Sequence, residues 1–354
     1  MNKHKNIGYF VLGSLFLLPC TTFAGGIDLL PLPASVDIPD MRGGWGASIE
    51  VAALKPYNNN LNYFLITQPL SSEDGLGNAY QSLTTRIERV DPIYAPALRV
   101  GINYTFADKG NVLKLNYEHL FDKEASDFFQ DIPNLLYTDA SVRQKLDGIS
   151  LVSEQHILIG PYWETTLTIG ARYAHLRQEL AANFTNYVFD TPTNDINFNN
   201  QSFSVQFDGT GPLVGLGTIF LLTDKLALGA EVQGALLVGR NNLDITSFNE
   251  RETPTFTDLT YGANELDHVY SIVPELFYRI YANYFYRFAN GSELQMEAGW
   301  RTNQFFNLRT FDFALSGTAN PATHTSTPFI ISPNTTRSDD IAFGGPYVMF
   351  NYKL

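Results

Sequence analysis

The sequence predicts an all-β chain folded as a transmembrane antiparallel up-and-down barrel of about ten strands, with eight or twelve as the alternatives. Three observations predict it. Oily and polar side chains alternate over stretches long enough to cross a bilayer, short turns alternate with long connections, and the last strand stops abruptly on an apolar row. Helical spans are excluded, since no segment after the leader approaches about eighteen uninterrupted apolar residues. Aromatic residues make up 14% of the 354, mostly Phe and Tyr, which suits a barrel with interfacial girdles.

Residues 1–24 have the layout of a secretory signal. Lys3 and Lys5 form a positive start, Ile7 to Leu18 an apolar stretch too short to span a membrane, and Thr22-Phe23-Ala24 puts small residues at the −3 and −1 positions. Cleavage after Ala24 is expected. A lipoprotein anchor on Cys20 is the rival, and Pro19 stands where such a signal carries Gly or Ala. Cleavage removes the one Cys of the chain, and with it any disulfide framework or Cys-based metal site. Residues 25–43 are then a periplasmic N-terminal segment and 44–354 a single barrel. Loss of the two lysines leaves 21 basic against 36 acidic residues, a net charge of −15, and makes nucleic acid an unsuitable partner.

A strand crossing hydrocarbon needs about 9–11 tilted residues, apolar toward lipid and polar toward the lumen. In 98–106, Leu98, Val100, Ile102, Tyr104 and Phe106 alternate with Arg99, Gly101, Asn103 and Thr105. In 292–303, Leu294, Met296, Ala298 and Trp300 oppose Glu293, Gln295, Glu297, Gly299 and Arg301. Leu276 to Phe288 repeats the pattern against Glu275, Arg279, Asn283 and Arg287, and its Tyr- and Phe-rich tail suggests a girdle. Segments 163–174 and 226–239 match the same template. Shorter or less regular ones occupy 44–54, 111–120 and 203–222, and the last changes its apolar parity near Gly209 to Pro212, which predicts a bulge there. Residues 146–158 are the weakest strand because neither alternate set is consistently apolar.

The connections are an independent test. Asp108 to Gly110, Gly160-Pro161, Asp224-Lys225 and Asn290-Gly291 are short and carry turn residues. Segments 55–92, 121–145, 181–202, 241–267 and 306–340 are long and read as extracellular loops, in strict alternation with the short periplasmic turns. Val348, Phe350, Tyr352 and Leu354 then form an outward row at the terminus. This resembles the C-terminal strand that the barrel assembly machinery reads, with Leu354 where Phe is usual.

The stretch Gly211-Pro212-Leu213-Val214-Gly215-Leu216-Gly217, followed by Ala227-Leu228-Gly229-Ala230-Glu231 and Ala235-Leu236-Leu237-Val238-Gly239, resembles a hairpin of the Legionella major outer membrane protein family. The tail from Phe343 to Leu354 resembles that family too, whereas the long loops do not. The resemblance implies a Gram-negative outer-membrane protein of porin or surface-adhesin character, with no catalytic residue or cofactor to carry over. It also implies disulfide-linked chains, which a mature chain without Cys puts in doubt.

Function has to come from the lumen and the loops. Glu50, Arg99, Lys114, Glu118, Glu164, Arg172, Glu231, Glu275, Arg279, Arg287, Glu293, Glu297 and Arg301 are the expected lumen-facing charges. Their signs nearly balance, and burial is costly for an unpaired charge, so they should cross-pair and fill most of a barrel this small. A narrow or closed pore follows, in tension with the porin label. The five loops carry −11 of the −15, with 241–267 near −5. Such loops could hold divalent cations beside lipopolysaccharide, engage a host surface or simply stay solvated; no Asp-rich calcium-loop spacing is present. Outer-membrane lipid, lipopolysaccharide, the assembly machinery, a host surface and small solutes are the expected partners.

The alternative is an omptin-like outer-membrane hydrolase using Asp267, His268, Asp339 and Asp340 at the outer rim. Adjacent strand residues point to opposite faces, so Asp267 could not orient His268 inside the rim of a regular strand. His156 and His175 look isolated and structural.

Overall fold

The computed structural model describes residues 36–37, 43–58, 62–73, 79–107, 110–131, 136–159, 162–190, 193–252, 257–311, 315–320, 325–326, 330–331 and 336–354. Ten strands pair in a closed antiparallel ring: β1 (Gly44–Asn58), β2 (Ala95–Thr105), β3 (Asn111–Leu120), β4 (Leu136–Ile159), β5 (Trp163–Asp190), β6 (Thr193–Leu221), β7 (Leu226–Glu252), β8 (Thr257–Arg287), β9 (Glu293–Phe311) and β10 (Thr336–Lys353). Each pairs with its sequence neighbour, and β10 returns to β1. The signal segment 1–24 and most of 25–43 lie outside the described residues.

The stagger of the ring can be read from its registers. His119 pairs with Asp147 on one side. Followed the other way round, the partners run through Leu98, Val51, Val348, Ala298, Ala282, Leu228, Phe220 and Trp163 to Ile159. Asp147 and Ile159 are twelve residues apart on one strand. Ten strands with that stagger give a tilt of about 40° and a backbone radius of about 10 Å. Side chains can fill such a cylinder.

At the short connections the described residues close tightly, with Phe106 N–H donating to Asn111 O, Leu222 N–H to Leu226 O and Phe288 N–H to Ser292 O. Gly110 and Gly291 take φ of 58° and 87°, a region that favours residues without Cβ, and the Asn290 side chain accepts the backbone N–H of Ser292 at 3.1 Å. The opposite ends are long and largely strand. β5 runs to Asp190 and β6 starts at Thr193, while β7 runs to Glu252 and β8 starts at Thr257. Much of the 181–202 and 241–267 segments therefore extends the wall as hairpins. Asn62–Glu73 and Ala79–Arg89 form a separate hairpin, with Leu315–Asn320 alongside, and Ala125–Asp131 adds to the edge of β4.

No bulge occurs at 209–212. Register on β5 is unbroken there, and the pairs Thr210–Val238 and Leu213–Ala235 on β7 keep the same register. What changes is the surroundings. Below, Val214 and Leu216 point outward to lipid; above, Phe203, Val205 and Phe207 point inward and are buried while Ser204 and Gln206 face out. The strand leaves the membrane at that level and its oily row crosses from outside to inside. Real register shifts lie at Asn241/Leu243 and Phe305/Leu308, the latter with Asn307 at φ 57°.

The boundary is marked by a row of outward polar residues on consecutive strands: His119, Asp147, His175, Asp208 and Arg240. His119 and Asp147 lie 2.6 Å apart, His175 and Asp208 2.5 Å, and Tyr117 and Tyr173, one pleat lower, donate to the same two carboxylates. Arg240 Nε donates to the Tyr270 hydroxyl at 3.1 Å. His175 is therefore not isolated.

Candidate functional site: the barrel interior

Inward positions in the membrane half carry ionised side chains that find partners across the cylinder. Arg301 of β9 is 1% exposed; its Nε lies 2.9 Å from Glu50 of β1 and its Nη1 donates to Glu118 of β3 at 2.6 Å. The second oxygen of Glu118 accepts from Arg172 of β5 at 3.0 Å, and Arg172 Nε donates to Glu275 of β8 at 3.2 Å. Arg99 of β2 sits in register between Glu50 and Glu118, with its guanidinium 5.4 Å from the Phe277 ring. Three arginines and three carboxylates thus bridge five or more strands. Gly148 makes one link possible, because a Cβ there would stand 2.6 Å from the Arg172 guanidinium.

A second group lies toward the periplasm. Arg279 of β8 is 2.5 Å from Glu231 of β7 and donates to Glu297 of β9 at 2.8 Å, and the Tyr347 hydroxyl also donates to Glu297. Lys114 is 2.6 Å from Glu154, and His156 Nδ1 is 2.5 Å from Glu164. Burying such ions is costly unless they are paired, and removing one partner of a buried pair typically costs about 3–5 kcal/mol.

Above the charged layers the interior becomes oil. Leu54, Leu120, Leu146, Leu176, Phe207 and Leu237 are joined by Val273, Phe305, Leu308, Ile341 and Phe343 in one buried cluster, with Ala95 and Ala97 from β2. All ten strands contribute to this septum. Below it the space opens into linked chambers of about 10, 50 and 220 Å³, the largest at the periplasmic end.

Twelve of the thirteen expected charges line these layers or chambers. Arg287 is the correction: its side chain is 77% exposed on the periplasmic rim, 3.4 Å from Glu293, because it lies at the last residue of β8, past the closed wall. Glu154 is an interior residue that the sequence reading did not assign, and His156, read there as isolated, also faces the interior and lies 2.5 Å from Glu164. They share a row with Gly148 and Ser150, opposite Ile149, Leu151 and Ile157, and that parity is the signal that could have found them. Tyr281, Tyr347 and Lys353 were also missed, since an inward aromatic or a terminal lysine reads like a girdle residue. Val348, Phe350, Tyr352 and Leu354 all face outward.

Among the proposed hydrolase residues, the side chains of Asp267, His268 and Asp339 lie outside the described residues. Asp340 accepts the backbone N–H of Asn307 at 3.2 Å and so supports the left-handed turn in β9. Among the described residues no group of three His, Cys, Asp or Glu could hold a metal ion.

An oily belt outside, paired ions inside and tight turns at one end define an outer-membrane β-barrel of a Gram-negative bacterium. The sequence profile described as Legionella pneumophila major outer membrane protein precursor matches residues 37–354. The chain belongs to that family. No curated protein sequence matches it. Among solved structures it is similar to the outer membrane protease OmpT from Escherichia coli, with 11% identity, 89% of this chain and 99% of that chain covered, and a TM-score of 0.40. The TodX deltaS2S3 mutant monoaromatic hydrocarbon channel gives 7%, 88%, 91% and 0.29, and a Pseudomonas aeruginosa FadL homologue 8%, 88%, 90% and 0.25. At such scores no activity carries over.

Proposed function

We propose that this protein is a closed outer-membrane barrel that presents acidic strand extensions at the cell surface, and that it is not a general diffusion pore. The apolar septum carries the reading. Eleven large aliphatic or aromatic side chains meet across a cylinder about 10 Å in backbone radius, directly above arginines and carboxylates that pair with one another across the lumen. A hydrated ion or sugar would have to displace both layers. The acidic 241–267 segment, built on the outward ends of β7 and β8, is then the part a host surface or neighbouring lipopolysaccharide would meet.

Planar-bilayer recording of the refolded protein tests this. The expected result is a quiet trace in the wild type. Stepwise conductance in the wild type would overturn the closed reading. A surface role predicts host-cell binding that disappears when 241–267 is deleted, with the barrel still folded.

A further inference from the structure

We propose that the outer wall of β4 to β7, at the height of the outer-leaflet headgroups, is a binding site for a lipid whose sugar headgroup carries two phosphates. Its cations are Lys145, Arg177 and Arg240, all on the outward face. The site is separate from the acidic strand extensions, and it stands whether or not the lumen is closed.

Height selects the kind of partner. The row from His119 to Arg240 marks where hydrocarbon ends, and Lys145 and Arg177 stand one pleat further out, opposite each other in register. Directly beneath the row Ile149, Tyr173, Val238 and Ile272 are exposed to the exterior. A molecule seated here meets charge with its head and oil with its tail, which is the chemistry of a lipid.

Hydrogen bonding selects phosphate. The carboxylates of the row are already occupied: Asp147 meets His119 Nδ1, the Tyr117 hydroxyl and Lys145 Nζ at 3.0 Å, and Asp208 meets His175 Nδ1, the Tyr173 hydroxyl and Gln206 Nε2 at 2.7 Å. Glu179, a pleat higher, is held by Arg177 Nη2. Arg240 is the opposite case. Its Nε donates to the Tyr270 hydroxyl and its guanidinium lies 5.5 Å from that ring, yet among the described residues no carboxylate pairs with it. Its two terminal nitrogens therefore form a positioned fork, and Lys145 and Arg177 keep further N–H groups beyond their single contacts. Charged oxygens arranged as in phosphate accept from such donors, bidentately from arginine.

Spacing selects two phosphates. Lys145 and Arg177 are about 5 Å apart across one ladder step, so one phosphate can bridge them. Arg240 stands two strands beyond Arg177, about 10 Å away, and the contact with Tyr270 draws its side chain toward β8, away from that phosphate. A disaccharide with a phosphate at either end spans the gap, with its acyl chains running down over Tyr173 and Val238.

The test is calorimetric titration of the refolded full barrel in detergent micelles with lipid A carrying two phosphates, with its one-phosphate form, and with inorganic phosphate. Saturable binding of the two-phosphate lipid is expected, with binding about tenfold weaker when one phosphate is missing and no displacement by equimolar inorganic phosphate. The double variant Arg177→Gln/Arg240→Gln should weaken binding by about tenfold or more, whereas Lys55→Gln, on β1 across the ring and paired with Asp91, should leave it unchanged. These side chains project from the wall, and the heat-dependent gel shift of a folded barrel checks each variant. Absence of lipid binding, equal binding in the double variant, or an equal loss in Lys55→Gln would each overturn the proposal. So would equally tight binding of the one-phosphate form, which removes the second phosphate, and displacement by equimolar inorganic phosphate, which makes the site one for a free anion.

Discussion

The two halves of this cylinder solve the problem of an interior in opposite ways. Within the membrane the outside is oil, so the apolar row of each strand faces out and the ionised row must be satisfied inside: Ile169 is 66% exposed to lipid while its neighbour Arg172, three positions on, is sealed against Glu118 and Glu275. Beyond the membrane the outside is water and the same strand, in the same register, puts Leu176 and Leu180 inside and Arg177 and Glu179 outside. The lesson is that burial direction is set by the surrounding solvent and not by the strand. A continuous strand can serve as membrane wall and as wall of a water-soluble core.

The sharpest way to break the contrast is to remove an ion from the lower core. Arg301→Met leaves Glu50 and Glu118 with one cation fewer and should cost about 4 kcal/mol, read by urea unfolding in lipid vesicles. In the upper core, Leu176→Ala should cost about 3 kcal/mol through the cavity it leaves, with the lower ion pairs intact.

The outer surface offers a matched pair. Ile169→Arg places a charge in the lipid belt and should cost about 3 kcal/mol. Ser204→Arg, outward on the part of β6 that stands in water, should change stability by less than about 0.5 kcal/mol. Equal costs would mean the boundary row has been misplaced.

The smallest effect concerns Glu124 and Arg143, a fully exposed pair on the outer side. A hydrogen bond from Arg143 holds the Glu124 carboxyl below its ordinary value. A group lowered on folding adds stability above its unfolded value and loses it as pH falls through the folded one. An NMR titration of Glu124 should therefore move to higher pH in Arg143→Leu, with little change in unfolding.

Period-two patterning made the wall legible because lipid enforces it. Leu98 to Phe106 and Leu294 to Trp300 could scarcely be read otherwise, and the alternation of short and long connections pointed to ten strands. Phe203, Val205 and Phe207 misled for a physical reason: a parity change looks the same whether the chain inserts a residue or its surroundings change from oil to water. β4 was weak because its outward row mixes Ile149 and Leu151 with Ser153 and Gln155, while Leu146 and Val152 turn inward. The lumen charges were visible as types. Their pairing across β1, β3, β5, β8 and β9 depends on a stagger that local spacing does not encode, and so does the septum above them.

The row from His119 through Asp147, His175 and Asp208 to Arg240 acts as a waterline. Sinking the molecule would drag these side chains into hydrocarbon, and lifting it would strip lipid from Ile169, Val214 and Val238. Draught is therefore fixed from both directions, and with it the height at which the tall side of the hull, β4 to β8, stands clear of its neighbours.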